Sequence, residues 1–373
     1  MHKKIFKLKN CPPLNILSLH SLTLSTILGI ILGTILLTAC EQQKQHSYSI
    51  FAFGTLIDVT LYNANNKQAE NAFEQLQKDF DQYHQDWSPW VNGDLAQLNK
   101  KLSKTVVGEN TVITVPAHLI PIIKISMLLS EKSKNYYNPA IGNLINLWQF
   151  HKYQDADIQP PQNSAIKVLV KKNPQMGNLS FNQKNQLINT NSAVSLNFGA
   201  FAKGYAIALE IERLKKLGIH NAVINAGGDL SVIGQHGNRL WNIGIRHPRN
   251  KKILASVEVK NDESVFTSGD YERIYSYQGQ RYHHILDPET GYPTQDAQSV
   301  TVIHSDAGLA DASATALFVA GSQRWQTIAK KMGIKHVMLI DKNGDIHITS
   351  AMKNRIKFLN KAPTSRIFVS KAL

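Results

Sequence analysis

The sequence predicts an α+β fold: one domain in which helices pack on a mixed or antiparallel sheet. Two observations carry that expectation. Helical patterns are interspersed with many short, hairpin-linked strands instead of alternating strictly with them. From about Tyr48 to Leu359 the composition is globular throughout, with no internal repeat and no low-complexity linker. The boundaries read as a leader over 1–39, a polar tether over 40–47, a domain over 48–360 and a tail over 361–373.

In chain order, "YSIFAFGTLIDVTLYN" (48–63) alternates and is rich in β-branched and aromatic residues, a strand with a glycine at its middle. "NKQAENAFEQLQKDFDQYHQDW" (66–87) follows with apolar residues at helical spacing, and "VPAHLIPIIKISMLLSEKS" (115–133) reads as a second helix. "HKYQDADIQPPQNS" (151–164) is the most loop-like stretch and reads as an insertion within the domain. A long helix is expected over 198–219, then a strand, a glycine-rich bend and a second strand over 220–234. "WNIGIRHP", "ILASVEVK", "ESVFTSGD", "YERIYSYQGQRYHHIL" and "SVTVIH" are short strand signals bounded by turns. Helix returns over 310–333, and "HVMLIDKNGDIHIT" (336–349) is a hairpin with an Asn-Gly turn.

The first 39 residues hold Lys3, Lys4, Lys7 and Lys9, no acid, and an apolar run from Ile16 to Ala39. That is the pattern of an export signal. It ends in "LLTAC", which resembles a bacterial lipobox with Cys40 as the lipidated residue, so the expected product is a lipoprotein anchored on the periplasmic side. An uncleaved membrane anchor is the alternative, since the run nearly spans a bilayer core of about 30 Å. The only other cysteine is Cys11, inside the leader, so the exported part has no cysteine pair for a disulfide. Without the leader's four lysines the balance is 37 Lys+Arg to 27 Asp+Glu, a formal +10. These positive charges are scattered, with no basic stripe interleaved with aromatics, and nucleic acid is not an expected partner.

Three stretches contain residue types suited to chemistry. In "ADASATALF", Asp311 and Thr315 stand four apart, on one face of a helix, and a carboxylate and a hydroxyl so placed can share a hard cation such as Mg²⁺. The same spacing also fits an acid at the positive end of a helix and a threonine bonded to its own backbone. In "NFGAFAKGYA", Gly199, Lys203 and Gly204 open the long helix, where free N–H groups attract phosphate, although neither a P-loop nor a dinucleotide fingerprint is present. Asp229 after "NAGG" suits either ligand binding or turn closure. In "HHILDPETGYP", strand alternation puts His283 and His284 on opposite faces, so they do not share a metal easily, and no thiol or H-E-x-x-H partner supports zinc. Asp287 to Gly291 is turn chemistry.

Taken in order, "GTLIDVTLY", "NPAIGNLINLWQF", "NFGAFAKGYA", "INAGGDL", "WNIGIRHP", "TSGDYER", "YHHILDPETGYP" and "ADASATALFVAG" resemble the ApbE family of FAD:protein FMN transferases, over about residues 50 to 350. The resemblance implies an enzyme that cleaves FAD and attaches its FMN half, through a phosphoester, to a threonine or serine of a membrane-associated electron-transport protein, releasing AMP. It implies Mg²⁺ held by Asp311 and Thr315 with the carbonyl of Ala200. FAD contacts are implied at Phe53, Trp90, Trp148, Gln149, Phe150, Asn197, Lys203 and Leu286, with Trp90 and Trp148 suited to stacking on a ring. His284 becomes the candidate general base, its unperturbed pKa near 6.5 close to working pH, and His283 a structural or solvent-facing neighbour.

Departures from the family pattern are Asn197 for aspartate, Ala200 for a glycine, Ala208 for an aspartate, Phe53 for methionine and Ala314 for an acid found in some members. Two other functions fit the same residues. One is a Mg²⁺-dependent FAD diphosphatase, with water as acceptor. The other is a lipid-anchored FAD carrier without turnover.

Overall fold

A two-residue turn opens the fold. Strands β1 (Gln45–Ala52) and β2 (Thr55–Tyr62) pair antiparallel with Ala52 opposite Thr55, leaving only Phe53 and Gly54 between them. Both have positive φ, 53° and 74°, the backbone that matches the twist of a tight hairpin. The stretch expected to be one strand is therefore a hairpin, and β1 starts at Gln45, within the segment read as a tether. The computed structural model describes residues 44–106, 110–152, 158–359 and 365–373. The leader and Cys40 lie outside the described residues.

Helix α1 (Asn66–Trp87) starts at a capping box, with Asn65 Oδ1 accepting from the Gln68 N–H and Gln68 Oε1 accepting from the Asn65 N–H. It buries Ala69, Ala72, Leu76, Phe80 and Trp87, one stripe at three- and four-residue spacing. Helix α2 (Asp94–Leu102), the small antiparallel sheet of β3 (Thr111–Ile113), β4 (Leu179–Phe181) and β5 (Leu187–Asn189), and α3 (Leu119–Lys132) follow on the same side. Two short helices, α4 (Gly142–Trp148) and α5 (Asn163–Lys171), flank the stretch read as an insertion. Seven and nine residues are too short to show a full amphipathic repeat, which is why the pattern did not predict them.

Helix α6 (Ala202–Lys216) leads into the antiparallel pair β6 (Ala222–Ala226) and β7 (Asp229–Ile233), joined at Gly227–Gly228. The second half is β8 (Trp241–Arg246), β9 (Ile253–Val259), β10 (Ser264–Gly269), the hairpin β11 (Ile274–Tyr277) and β12 (Gln280–His283), β13 (Ala297–His304), α7 (Ala307–Met332), β14 (His336–Asp341), β15 (Ile346–Thr349), α8 (Ser350–Lys353), β16 (Ile356–Phe358) and β17 (Ile367–Ser370). The main sheet has nine strands in the order β1-β2-β6-β7-β10-β13-β14-β15-β17. All neighbours are antiparallel except β15 and β17, which run parallel. β17 arises in the segment expected to be a tail.

The sheet is covered on both faces, and alternation along β14 shows it. Val337 and Leu339 belong to the helix-side core, whereas Met338 and Ile340 belong to a second core under β8, β9 and β16. β13 is buried along nearly its whole length for the same reason. A third, aromatic cluster joins α4, α5 and the β11–β12 hairpin through Trp148, Phe150, Tyr275 and Leu286. Each fully buried leucine, such as Leu76 or Leu98, contributes about 1.5–3 kcal/mol. Helix α7 is interrupted at Gly321 (φ 66°, ψ 179°) and ends on Gly333 in the left-handed region. Asp311 and Thr315 lie before that break.

Candidate active site

The tip of the first hairpin, the Gly227–Gly228 turn, the end of β10 and the start of α6 meet around one cavity of about 410 Å³, within the range of ordinary ligand sites. Its most constrained corner is where α6 crosses α7. A Cβ added at Gly204 would come within 2.4 Å of the Ala307 carbonyl oxygen and 2.7 Å of Asp311 Cβ. Glycine there lets the two helices touch. The Gly204 N–H, in the first turn of α6, consequently donates to Asp311 Oδ2 at 2.9 Å. A helix N-terminus has unpaired donors and favours an anion, so this contact fixes the carboxylate in the cavity wall.

One turn further along α7, Thr315 Oγ1 lies 3.0 Å from Ser268 Oγ of β10. Both hydroxyls line the cavity together with Asp311 and Ala200. Burial pushes the Asp311 carboxyl up to about 7, against the pull of the Lys203 ammonium and the Gly204 N–H. A buried carboxylate held by one donor beside two hydroxyls is a hard, all-oxygen donor set, the kind that suits Mg²⁺ over a thiophilic metal.

Lys203, one residue before Gly204, pairs with Asp229 Oδ2, and Asp229 Oδ1 accepts from the Thr267 N–H at 2.9 Å. Burial works against the ammonium, but Asp229 and Asp311 outweigh it and hold the Lys203 pKa above its ordinary value. The lysine therefore keeps its charge inside the cavity. Asp229, left open between ligand binding and turn closure on sequence grounds, buttresses this charge from the end of the glycine turn.

The two histidines part as alternation predicts. His283 is buried, its Nδ1 accepts from the Ile285 N–H, its Nε2 bonds the Thr294 carbonyl at 2.5 Å, and its edge meets Phe318. It is a structural residue. His284 lines the cavity, and its Nδ1 is buried without a hydrogen-bond partner. Burial first, then the positive charge of Arg273, holds its pKa well below the usual histidine value. The unperturbed value near 6.5 expected from the sequence is thus corrected downward, and at neutral pH the ring is a neutral acceptor.

Ten of the residues that the resemblance assigns line this one cavity: Phe53, Trp90, Phe150, Asn197, Ala200, Lys203, His284, Leu286, Asp311 and Thr315. Phe53 is locked at the hairpin tip, its N–H donating to His84 Nδ1 at 3.2 Å and its carbonyl accepting from Arg273 at 3.3 Å. Trp90 stacks on His151 at the rim, with ring centroids 5.2 Å apart. Asn197 Oδ1 accepts from the Gly199 N–H at 2.9 Å, so this amide shapes the approach to α6.

Trp148 and Gln149 are not cavity walls. Trp148 is fully buried, packed against Phe150, and donates through Nε1 to the Gly291 carbonyl at 2.8 Å. It holds the DPETG turn in place, and its ring has no face left for a ligand. Gln149 is exposed and caps α4 with a left-handed backbone. Sequence reasoning passed over Ser268, Tyr271 and Arg246, which also line the cavity, with Arg246 over the Tyr271 ring at 5.2 Å. "TSGDYER" contains the first two, at the end of β10 and just beyond Gly269. A separate cluster of Asp86, Asp94 and His118 has ligand atoms within 4.8 Å of one another, but it does not line this cavity.

Comparison with known proteins assigns the chain. The ApbE family model matches residues 53–338. The chain belongs to the ApbE family. A FAD:protein FMN transferase of Rhodobacter capsulatus is 34% identical over 314 residues, covering 83% of this chain and 58% of that protein. One from Klebsiella pneumoniae is 29% identical, covering 86% and 96%. Among solved structures, the ApbE protein of Thermotoga maritima superposes with a TM-score of 0.74 at 28% identity, covering 85% of this chain and all of its own. The Pseudomonas stutzeri flavinyl transferase ApbE gives 0.71 at 25%, covering 86% and 98%. The α+β architecture is that of the ApbE structures.

Proposed function

We propose that this ApbE protein is a FAD:protein FMN transferase that uses Mg²⁺ and moves the FMN half of FAD onto a threonine or serine hydroxyl of an acceptor protein, releasing AMP. The observation that carries the reading is the convergence of a fixed carboxylate–hydroxyl pair (Asp311, Thr315), a charged Lys203 and a neutral His284 on one cavity. The relatives named above as FAD:protein FMN transferases support it.

The reaction breaks one phosphoanhydride bond and forms one phosphoester. Attack of a neutral hydroxyl on the FMN phosphorus needs alignment, charge neutralisation and a proton acceptor. Asp311, Thr315 and the Ala200 carbonyl would hold Mg²⁺, which supplies Lewis-acid neutralisation of the phosphate oxygens when bound. Lys203, kept protonated by Asp229, adds a fixed positive charge facing the pyrophosphate. His284 takes the hydroxyl proton as the oxygen attacks, and AMP leaves with the bonding electrons. Phe53, Trp90 and Phe150 present apolar surface for the rings, and Asn197 contributes hydrogen bonding without the charge of the family's usual aspartate. The leader and Cys40 complete the proposal: a lipoprotein held at the periplasmic face of a membrane, near a membrane-bound acceptor flavoprotein.

Incubating the purified chain with FAD, MgCl₂ and a candidate acceptor domain tests it. Gain of FMN mass by the acceptor with stoichiometric AMP is the expected result. AMP and FMN with an unmodified acceptor would make the chain a diphosphatase; neither product would make it a carrier.

A further inference from the structure

We infer that the outer face of the first hairpin's tip is the docking surface for the acceptor polypeptide; the inference rests on the proposed transfer to a protein. In that reaction FAD occupies the cavity and the attacking hydroxyl arrives on a second macromolecule, so the surface beside the cavity mouth must be covered by the acceptor during transfer.

The hairpin's outward face changes character along its length. Away from the tip it is polar: Ser47 lies opposite Thr60 with hydroxyls 3.3 Å apart, and Ser49 donates to Asp58 at 2.6 Å. At the tip the next cross-strand pair is Phe51 and Leu56, 68% and 56% exposed. Of the four residues between them in the chain, Phe53, Gly54 and Thr55 are cavity wall. The exposed apolar pair thus borders the site, Phe51 two residues from Phe53 on β1 and Leu56 next to Thr55 on β2.

Two further facts make the pair a surface for binding rather than a mobile end. His84 and Arg273 bond the Phe53 backbone from both sides, so the tip is held before any partner arrives, and a rigid surface loses little entropy on binding. β1 is also the edge of the nine-stranded sheet, with β2 its only strand partner among the described residues. An extended acceptor segment flanking the reacting threonine or serine fits this edge by strand addition, its alternate apolar side chains over Phe51 and Leu56. Scattered exposed apolar residues need no explanation, but a cross-strand pair bordering a cavity is the arrangement expected of an interaction site.

The test uses the full chain and an acceptor domain that gains FMN in the transfer assay; if the wild type modifies no acceptor, the transferase reading itself has failed, and that is seen first. Phe51→Ser with Leu56→Ser should raise KM for the acceptor about tenfold or more, as loss of apolar anchors does, with FAD affinity and thermal midpoint unchanged. An unchanged acceptor KM overturns the inference, as does a parallel loss of FAD affinity. A photo-crosslinking residue at position 51 should capture the acceptor domain, whereas one at position 60 on the same face should not. Capture of a second copy of this chain, or of anionic lipid vesicles in place of the acceptor, would also overturn it.

Discussion

At the scale of single residues, the site depends on how Asp311 is held. Its carboxyl is pushed up to about 7, so if it holds Mg²⁺ as proposed, binding below that pH displaces a proton, and apparent Mg²⁺ affinity should fall by about tenfold per pH unit. Above about 7 it should level off; titration of the purified chain with Mg²⁺ at several pH values checks both limbs. Asp311→Ala should abolish this dependence and lower kcat by about a hundredfold or more, the loss expected when a Lewis acid is displaced. His284 makes a different prediction. Because its pKa lies well below 6.5, the ring stays neutral through the mildly acidic range. At saturating Mg²⁺ the rate should therefore hold flat down past pH 6.5 and fall only in stronger acid. His284→Asn should slow transfer about 10²–10⁴-fold while leaving FAD affinity intact; loss of binding alone would make the residue structural.

Elements with a complete repeat or a diagnostic turn were legible from the sequence, and those whose form depends on partners were not. α1, α6, α7 and the Asn343–Gly344 hairpin follow from spacing and turn chemistry. Short α4 and α5 form because the aromatic cluster packs them, which no local pattern records. Asp311 and Thr315 were visible as a pair, but not the glycine contact that orients the acid, since Gly204 lies 107 positions from it. Trp148 looked like a stacking ring because burial cannot be read from residue type. Between α1 and α6 lies a titratable contact of the same hidden kind. Glu210 is fully buried, accepts from Tyr83 at 2.8 Å and has Arg213 at 3.3 Å; burial pushes its carboxyl up to about 7. From pH 4.5 to about 7 the folded state keeps a proton that the unfolded chain releases, so this group's contribution to stability falls as pH rises through that window. Glu210→Gln should flatten that part of the profile, raising the thermal midpoint relative to wild type at pH 8 more than at pH 5. Melting curves at both values decide it.

At the scale of the whole molecule, the sheet edge at β17 lies apart from the cavity, whose walls come from the β1–β2 tip, the β6–β7 turn, β10, α6 and α7. β1 and β17 are eight strand spacings apart, roughly 38 Å at 4.8 Å each. Removing residues 365–373 would strip β15 of its parallel neighbour and the Arg366–Asp345 ion pair. The thermal midpoint should drop by several degrees while kcat and the KM for FAD stay as they are, because no cavity residue lies in that strand. A large loss of rate in the truncated chain would mean that the edges are coupled.

The cavity draws its wall from Phe53 at one end and Val319 at the other, so most of the chain must already be in place before any of it exists. No fragment of the hairpin, of α6 or of α7 carries the site alone. A ligand that recognises this wall therefore recognises only the native state, and by mass action it stabilises the whole domain by about 2.7 kcal/mol at a hundred times its dissociation constant. For a protein with no cysteine pair in the domain to cross-link it, FAD bound there as proposed would act as a removable brace, and resistance to proteolysis should rise and fall with flavin supply.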